Sequence, residues 1–161
     1  ELYREHFNLN FNEIPYQFNF VTATEMHHYF KKPFFITNKY DKRECVGLAS
    51  DREIDFVHVE KFYKKSPTLS IIIHELMHIY QFQKLNYFKL KNNEVELIEG
   101  MTTYAEFLLL MKSNIPEYQR LAEAYDISKT ADTSEYGIGY RHVKEKYGED
   151  FLQIITKKYQ A

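Results

Sequence analysis

The sequence predicts an α+β domain in which a small, mainly antiparallel sheet comes first and is covered by the helices that follow. Apolar and polar residues alternate in residues 16–22, which is the period of a half-buried strand. Two further strand-like runs, residues 44–50 and 53–59, are separated by a short polar turn and indicate a hairpin. Beyond Ser66 the pattern turns helical, and strands followed by helices are typical of α+β folds.

The helical part divides into several predicted helices. The first begins at Ser66-Pro67, where a serine N-cap is followed by a proline at the first helical position, and it runs to about Lys84. The later helices are predicted at residues 94–112, 116–125, 133–148 and 149–159. Within the first part of the chain we also expect a short helix at residues 24–32 and a strand at residues 33–38.

Length and composition indicate one globular domain. The chain has 161 residues, of which 44% are hydrophobic and 17% aromatic, enough to bury a core without disulfides. The net charge is −2, which gives no electrostatic reason to expect binding to nucleic acid or to an anionic membrane. A single cysteine, Cys45, excludes an internal disulfide and is expected to be a small core residue.

No run of 18 apolar residues is present, so we expect no membrane span in this chain. The first residues show no signal-peptide pattern, and the sequence begins at Glu1 rather than at a methionine. We therefore expect a soluble protein that is either cytoplasmic or exported or anchored through a segment upstream of Glu1. Nothing in the sequence predicts its oligomeric state.

The apolar helix predicted around residues 70–82 carries His74, Glu75 and His78. Residues four apart lie on one face of a helix, so the two imidazoles can bind one metal ion. The Glu75 carboxylate would then lie beside the coordination position left for water and could accept a proton from it. This arrangement suits hydrolysis with zinc. The alternative is a His/Glu cluster hydrogen-bonded within the core, because buried polar groups are costly unless they are satisfied.

A third ligand is expected on the next helix. Glu96, Glu99, Thr103 and Glu106 share one face of it, and the opposite face is apolar. Such a helix can pack against the histidine helix and supply a carboxylate ligand, although an acidic stripe on a surface helix is the common alternative. The spacing alone does not choose between Glu96 and Glu99.

Two motifs, H-E-L-M-H at residues 74–78 and E-G-M-T-T-Y-A-E at residues 99–106, together resemble the gluzincin clan of zinc metallopeptidases. The closest patterns are those of the gluzincin aminopeptidases and of small, minimal gluzincin peptidases. The resemblance implies one catalytic zinc ion with Glu99 as its third protein ligand. It also implies that Glu106 supports a zinc-binding histidine from behind.

A third motif, E-Y-G-I-G-Y from residue 135, is similar to the Tyr-x-x-Gly start of a late gluzincin helix. The resemblance implies that Tyr136 stabilises the oxyanion of the tetrahedral intermediate, with Gly139 as the matching glycine. A phenol suits this role because it donates one directed hydrogen bond to developing charge. Tyr140, one turn away, is an alternative donor, and His142 is another.

The resemblance covers roughly residues 45–159. It implies that the single domain expected over residues 1–161 is a gluzincin-like catalytic domain that cleaves peptide bonds in a peptide or protein substrate. Gluzincin aminopeptidases grip the free amine with an acid on a strand upstream of the zinc helix, whereas V-G-L-A-S at residues 46–50 has no acid after Gly47. This difference favours an endopeptidase. The alternatives are a non-catalytic zinc-binding or peptide-binding domain, and a latent enzyme whose residues 1–40, otherwise without a role, cover the cleft.

Overall fold

The computed structural model describes residues 1–22, 25, 47–50, 56–60, 68–94 and 96–160. Its helices are α1 (Leu2–Phe7), α2 (Thr68–Lys84), α3 (Tyr87–Asn93), α4 (Glu96–Lys112), α5 (Pro116–Ala131), α6 (Glu135–Lys146) and α7 (Phe151–Tyr159). Its strands are β1 (Gln17–Val21), β2 (Gly47–Ser50) and β3 (Phe56–Glu60). None of the helices in these ranges combines the length and apolarity needed to cross a bilayer.

The predicted α+β class with a mainly antiparallel sheet is wrong, because the described chain is mostly helical. Its strands have only four or five residues each and form one mixed sheet in the order β1-β3-β2. The central strand β3 pairs in parallel with β1 and antiparallel with β2. The main cluster of buried apolar side chains takes none of its described members from a strand. Among the described residues, the helices therefore supply nearly all of this core.

The helices predicted from periodicity agree with the structure better than the predicted fold class does. The five helices expected after Ser66 correspond to α2, α4, α5, α6 and α7, although α5 continues to Ala131, beyond the predicted end at residue 125. The short helices α1 and α3 were not predicted. Apart from Glu25, the helix expected at residues 24–32 lies outside the described residues. So do the strand expected at 33–38, Cys45 and the cap at Ser66-Pro67.

Helix α2 is buried on two sides, which explains its nearly continuous apolar sequence. Ile73 and Met77 belong to the main helical core. Ile71 and Ile79 form a second, smaller apolar cluster with Ile14 from the N-terminal segment. A helix that is apolar nearly all round is expected to lie inside a protein. The polar side chains of α2 therefore sit in a largely dry environment.

The N-terminal segment packs directly against α2. Tyr3 is 5% exposed, and its hydroxyl donates a 2.6 Å hydrogen bond to the backbone oxygen of Ile73, the residue before His74. The ring of Phe7 lies 5.5 Å from that of Phe151, in an edge-to-face contact. These first residues are thus part of the core. Whether the longer segment 1–40 also covers a cleft stays a prediction.

Helices α4 and α6 cross at a pair of glycines. A Cβ atom on Gly100 would lie 2.4 Å from the backbone oxygen of Gly139, and a Cβ on Gly139 would lie 2.5 Å from the backbone oxygen of Glu96. Both distances are shorter than any ordinary contact, so the two backbones touch only because neither residue has a side chain. The crossing places the first turn of α6 beside the first turn of α4.

Replacing Gly139 by alanine should therefore force α4 and α6 apart. We expect a loss of about 3 kcal/mol in the free energy of unfolding, the upper end of the usual cost of overpacking. Urea unfolding of Gly139→Ala against wild type measures it. The neighbouring Ile138→Ala, at a side chain that is 45% exposed, is the control and should change stability by less than about 0.5 kcal/mol. Equal stability of Gly139→Ala and wild type would contradict the close crossing.

A single carboxylate ties the start of α4 to the ends of α6 and α7. Glu94 Oε1 accepts hydrogen bonds from Lys158 and from Tyr159, the latter at 2.7 Å. Its Oε2 accepts a 2.8 Å bond from the hydroxyl of Tyr147. Burial alone would raise the pKa of Glu94, but these hydrogen bonds outweigh it and lower the pKa from 4.5 to about 2. The ionised carboxylate therefore stabilises the folded state.

Glu94→Gln should lower the free energy of unfolding at pH 7 by about 1–3 kcal/mol, because charge-assisted hydrogen bonds are lost. A depressed native pKa stabilises the fold above the unfolded value of 4.5, and this contribution is lost as the pH falls towards 2. The difference between variant and wild type should shrink over that range in urea titrations. Glu149→Gln, which breaks only an exposed pair with Lys112, is the control and should have little effect. A difference that stays constant down to pH 2 would contradict this account.

Candidate metal centre

Two histidines of α2 and one glutamate of α4 bring their ligand atoms together. His74 Nε2 lies 3.3 Å, and His78 Nε2 lies 3.6 Å, from the same atom, Glu99 Oε2. The three ligand atoms all lie within 4.8 Å of one another. The spacing of four residues puts both imidazoles on one face of α2, and the first turn of α4 supplies the carboxylate. Glu96, the other candidate, is exposed.

A divalent cation fits this arrangement. Glu99 Oε2 is buried and forms no hydrogen bond, although buried polar atoms are ordinarily satisfied. Zinc bonds to nitrogen and oxygen are about 2.0–2.2 Å long, so the ligands of a tetrahedral ion are separated by about 3.3–3.6 Å. The two separations between nitrogen and oxygen, 3.3 and 3.6 Å, fall in that range. A cation among the three side chains would satisfy the buried oxygen.

The carboxylates around the site favour the protonated forms of His74 and His78, the two side chains that would bind a cation. Burial alone would lower the pKa of His74, but its interactions with the carboxylates of Glu106 and Glu99 outweigh this effect and raise the pKa to about 10. The pKa of His78 is also raised, because Glu99 outweighs the effect of burial. Burial would raise the pKa of Glu99, yet the two imidazoles hold it well below its usual range. Because a ligating histidine must be neutral, a bound metal would replace these protons.

Glu106 lies behind His74, two turns along α4 from Glu99. Its Oε2 is 3.5 Å from His74 Nδ1, the nitrogen that faces away from the three-ligand group. It also accepts a 2.8 Å hydrogen bond from the hydroxyl of Tyr125, and Oε1 accepts one from Ser70. Carboxylates commonly orient metal-binding histidines in this way. The structure thus places Glu106 where the resemblance implied a supporting carboxylate.

Sequence reasoning missed three polar partners of the site, of which Ser70 and Gln81 are buried and Tyr125 is partly buried. Ser70 lies four residues before His74, and that spacing could have revealed it. Tyr125 comes from α5, and no spacing rule connects it with α4. Gln81, three residues after His78, accepts a hydrogen bond at 2.9 Å from His78 Nδ1 through its Oε1 atom. Its position on the same face of α2 was a readable signal.

Glu75 is buried on α2, between His74 and His78 in the sequence. Its side chain is 7% exposed, and its negative charge raises the pKa of both His74 and His78. The carboxylate is therefore close enough to act on the three-ligand group electrostatically. This location suits a proton carrier beside a metal-bound substrate.

The three candidate oxyanion donors lie in different places. The ring centre of Tyr136, in the first turn of α6, is 6.0 Å from that of His74. Tyr140 is fully buried and donates a 2.6 Å hydrogen bond to Asp126 Oδ1 instead. His142 Nε2 lies 3.8 Å from a carboxylate oxygen of Glu94, in the cluster at the ends of α6 and α7. Of the three, the structure brings Tyr136 next to the histidine pair.

Zinc should stabilise the wild-type protein against heat. At about 100 times its Kd it should add about 2.7 kcal/mol to the free energy of unfolding, or about 5–10 °C in Tm. Glu99→Ala should lose most of this shift, because one ligand is removed. Glu96→Ala, at the exposed alternative, is the matched control and should keep it. Thermal melts with zinc and with a chelator measure both, and a full shift in Glu99→Ala would exclude Glu99 as a ligand.

No family model, curated protein or solved structure matches this chain. The likeness of its motifs to gluzincins therefore stays a prediction, and the chemistry of the site is the basis for proposing a function.

Proposed function

We propose that this chain is a zinc-dependent metallopeptidase that hydrolyses peptide bonds, as an endopeptidase rather than an aminopeptidase. The observation that carries the proposal is the buried Glu99 Oε2 atom, which has no hydrogen bond and lies between two imidazole nitrogens. Glu75, on the same helix as those imidazoles, adds the proton carrier that hydrolysis needs. A purely structural zinc site ordinarily has four protein ligands, and only three side chains converge here within the described residues.

The proposed ligands are His74, His78 and Glu99. A zinc ion held by them would lower the pKa of a water ligand towards neutrality and polarise a substrate carbonyl. Glu106 orients His74 through Nδ1, and the hydroxyls of Ser70 and Tyr125 hold the Glu106 carboxylate in place. Helix α2 packs against apolar clusters on two sides, and the lower dielectric of this surrounding strengthens each of these electrostatic interactions.

Glu75 is the proposed general base and acid. Its carboxylate accepts a proton from the attacking water and passes that proton to the nitrogen of the leaving amine. The phenol of Tyr136 donates a hydrogen bond to the oxygen on which negative charge develops. Removing one such donor ordinarily costs on the order of 3 kcal/mol of transition-state stabilisation.

The preference for internal peptide bonds follows from an absence in the sequence. The aminopeptidases that this chain resembles use an acid after the glycine of an upstream strand to bind the free amine. The corresponding residues here are V-G-L-A-S at 46–50, which contain no acid. A substrate would therefore be recognised along its extended backbone rather than at its amino terminus.

Glu75→Gln should abolish most hydrolysis without abolishing metal binding. The amide cannot accept the proton, and we expect a loss of at least about 100-fold in the rate of cleavage. The measurement is cleavage of a mixed peptide library by zinc-loaded protein, analysed by mass spectrometry, together with the zinc content of each variant.

Glu96→Gln, at an exposed glutamate of α4, is the control and should cleave as wild type does. Cleavage by Glu75→Gln at the wild-type rate would contradict the assigned base. Zinc binding by wild type without cleavage of any peptide would instead favour a non-catalytic zinc-binding domain.

A further inference from the structure

We infer that Gln81 is a positioning residue that sets the tautomer of His78 and locks this ligand to the turn of α4 that carries Glu99. The inference rests on the proposed metal site. It assigns a role to a side chain that neither the H-E-x-x-H motif nor the acidic motif contains.

The orientation of the amide follows from its second partner. Gln81 Nε2 donates a 2.8 Å hydrogen bond to the backbone oxygen of Ile98, which can only accept. The other end of the amide, Oε1, therefore faces His78 Nδ1 at 2.9 Å. An amide oxygen can also only accept, so the proton must be on Nδ1. In the neutral imidazole this leaves the lone pair on Nε2.

Nε2 is the nitrogen of His78 that faces the three-ligand group, 3.6 Å from Glu99 Oε2. The hydrogen bond to Gln81 thus selects the one tautomer in which His78 can bind a metal at that point. Without it, the neutral ring has a second tautomer, with the proton on Nε2 where the cation should bind.

The same amide links two ligands on different helices. Ile98 immediately precedes Glu99, so the bond from Gln81 to the Ile98 oxygen ties α2 to the first turn of α4. Gln81 is fully buried, so bulk water does not compete for either end of its amide. Loss of the side chain would leave both Ile98 O and His78 Nδ1 with one partner fewer in a dry environment.

The two histidines are supported by different chemistry. His74 faces a carboxylate, Glu106, whereas His78 faces a neutral amide. The region already holds the carboxylates of Glu75, Glu99 and Glu106. A neutral acceptor orients the second imidazole without adding a further negative charge. Gln81 therefore acts through hydrogen-bond direction.

The test compares three variants in the full chain. Gln81→Met keeps the volume and removes both hydrogen bonds, and Gln81→Glu keeps an oxygen that can accept from Nδ1. Gln83→Met is the matched control, because Gln83 lies on the same helix and its amide also donates to a backbone oxygen, that of Pro15 at 2.7 Å. Zinc affinity is measured by competition with a chromophoric chelator.

We expect Gln81→Met to bind zinc about 10–100-fold more weakly than wild type, the usual cost of losing a supporting partner of a metal ligand. Gln83→Met should stay within about threefold of wild type. Gln81→Glu keeps the acceptor for Nδ1 but loses the bond to the Ile98 oxygen, so its affinity should lie between those of Gln81→Met and wild type. The protonation pattern of the imidazoles is measured separately, from long-range proton–nitrogen NMR spectra of zinc-loaded wild type. His78 should carry its proton on Nδ1, and this readout needs no variant to fold.

Zinc affinity of Gln81→Met equal to wild type would overturn the inference and leave the proposed metal site intact. So would an equal loss in Gln83→Met, or a proton on Nε2 of His78. Wild type that binds no zinc would overturn the metal site itself, and with it both the proposed function and the role of Gln81. None of these measurements depends on finding a peptide that the protein cleaves.

Discussion

The central constraint on this structure is the burial of a carboxylate oxygen between two imidazoles. Burying charged and polar groups costs several kcal/mol unless they are satisfied, and α2 and α4 bring several together in their contact. The imidazole nitrogens that face away from the site have protein partners. His74 Nδ1 faces Glu106, which also accepts hydrogen bonds from two hydroxyls, and His78 Nδ1 faces Gln81. The inner atom, Glu99 Oε2, is left without a hydrogen bond. The pattern is that expected of side chains arranged around a cation.

Two faces of helix α4 make different contacts, and together they link the histidines of α2 to α6. One face presents Glu99 and Glu106 to the histidines of α2. Another carries Gly100, which lets the backbone of α6 approach to contact and brings Tyr136 close to His74. The adjacent residues Glu99 and Gly100 thus connect the proposed metal ligand to the helix that carries Tyr136. A shift of this crossing would move Tyr136 relative to the histidines.

The fold class was mispredicted for a physical reason. Alternation in the first part of the chain marks positions where a strand can form, and β1 lies within residues 16–22. It does not show how much surface such strands bury. Here α2 is buried on two sides and α4 contributes most of its residues to the core, so the helices dominate the described chain. The parallel pairing of β1 with β3 likewise joins segments far apart in sequence, which a local pattern cannot reveal.

By itself the sequence determined which side chains share a face of one helix. It placed His74 and His78 one turn apart, and it placed Glu96 and Glu99 together on α4 without choosing between them. Tertiary structure decided that Glu99 meets the histidines and that Tyr136, not Tyr140, lies beside them. The physical reason is that helical periodicity encodes direction around one axis, whereas the partners of a face depend on how helices pack. That packing depends on close approaches such as the glycine crossing, which become visible only in the folded chain.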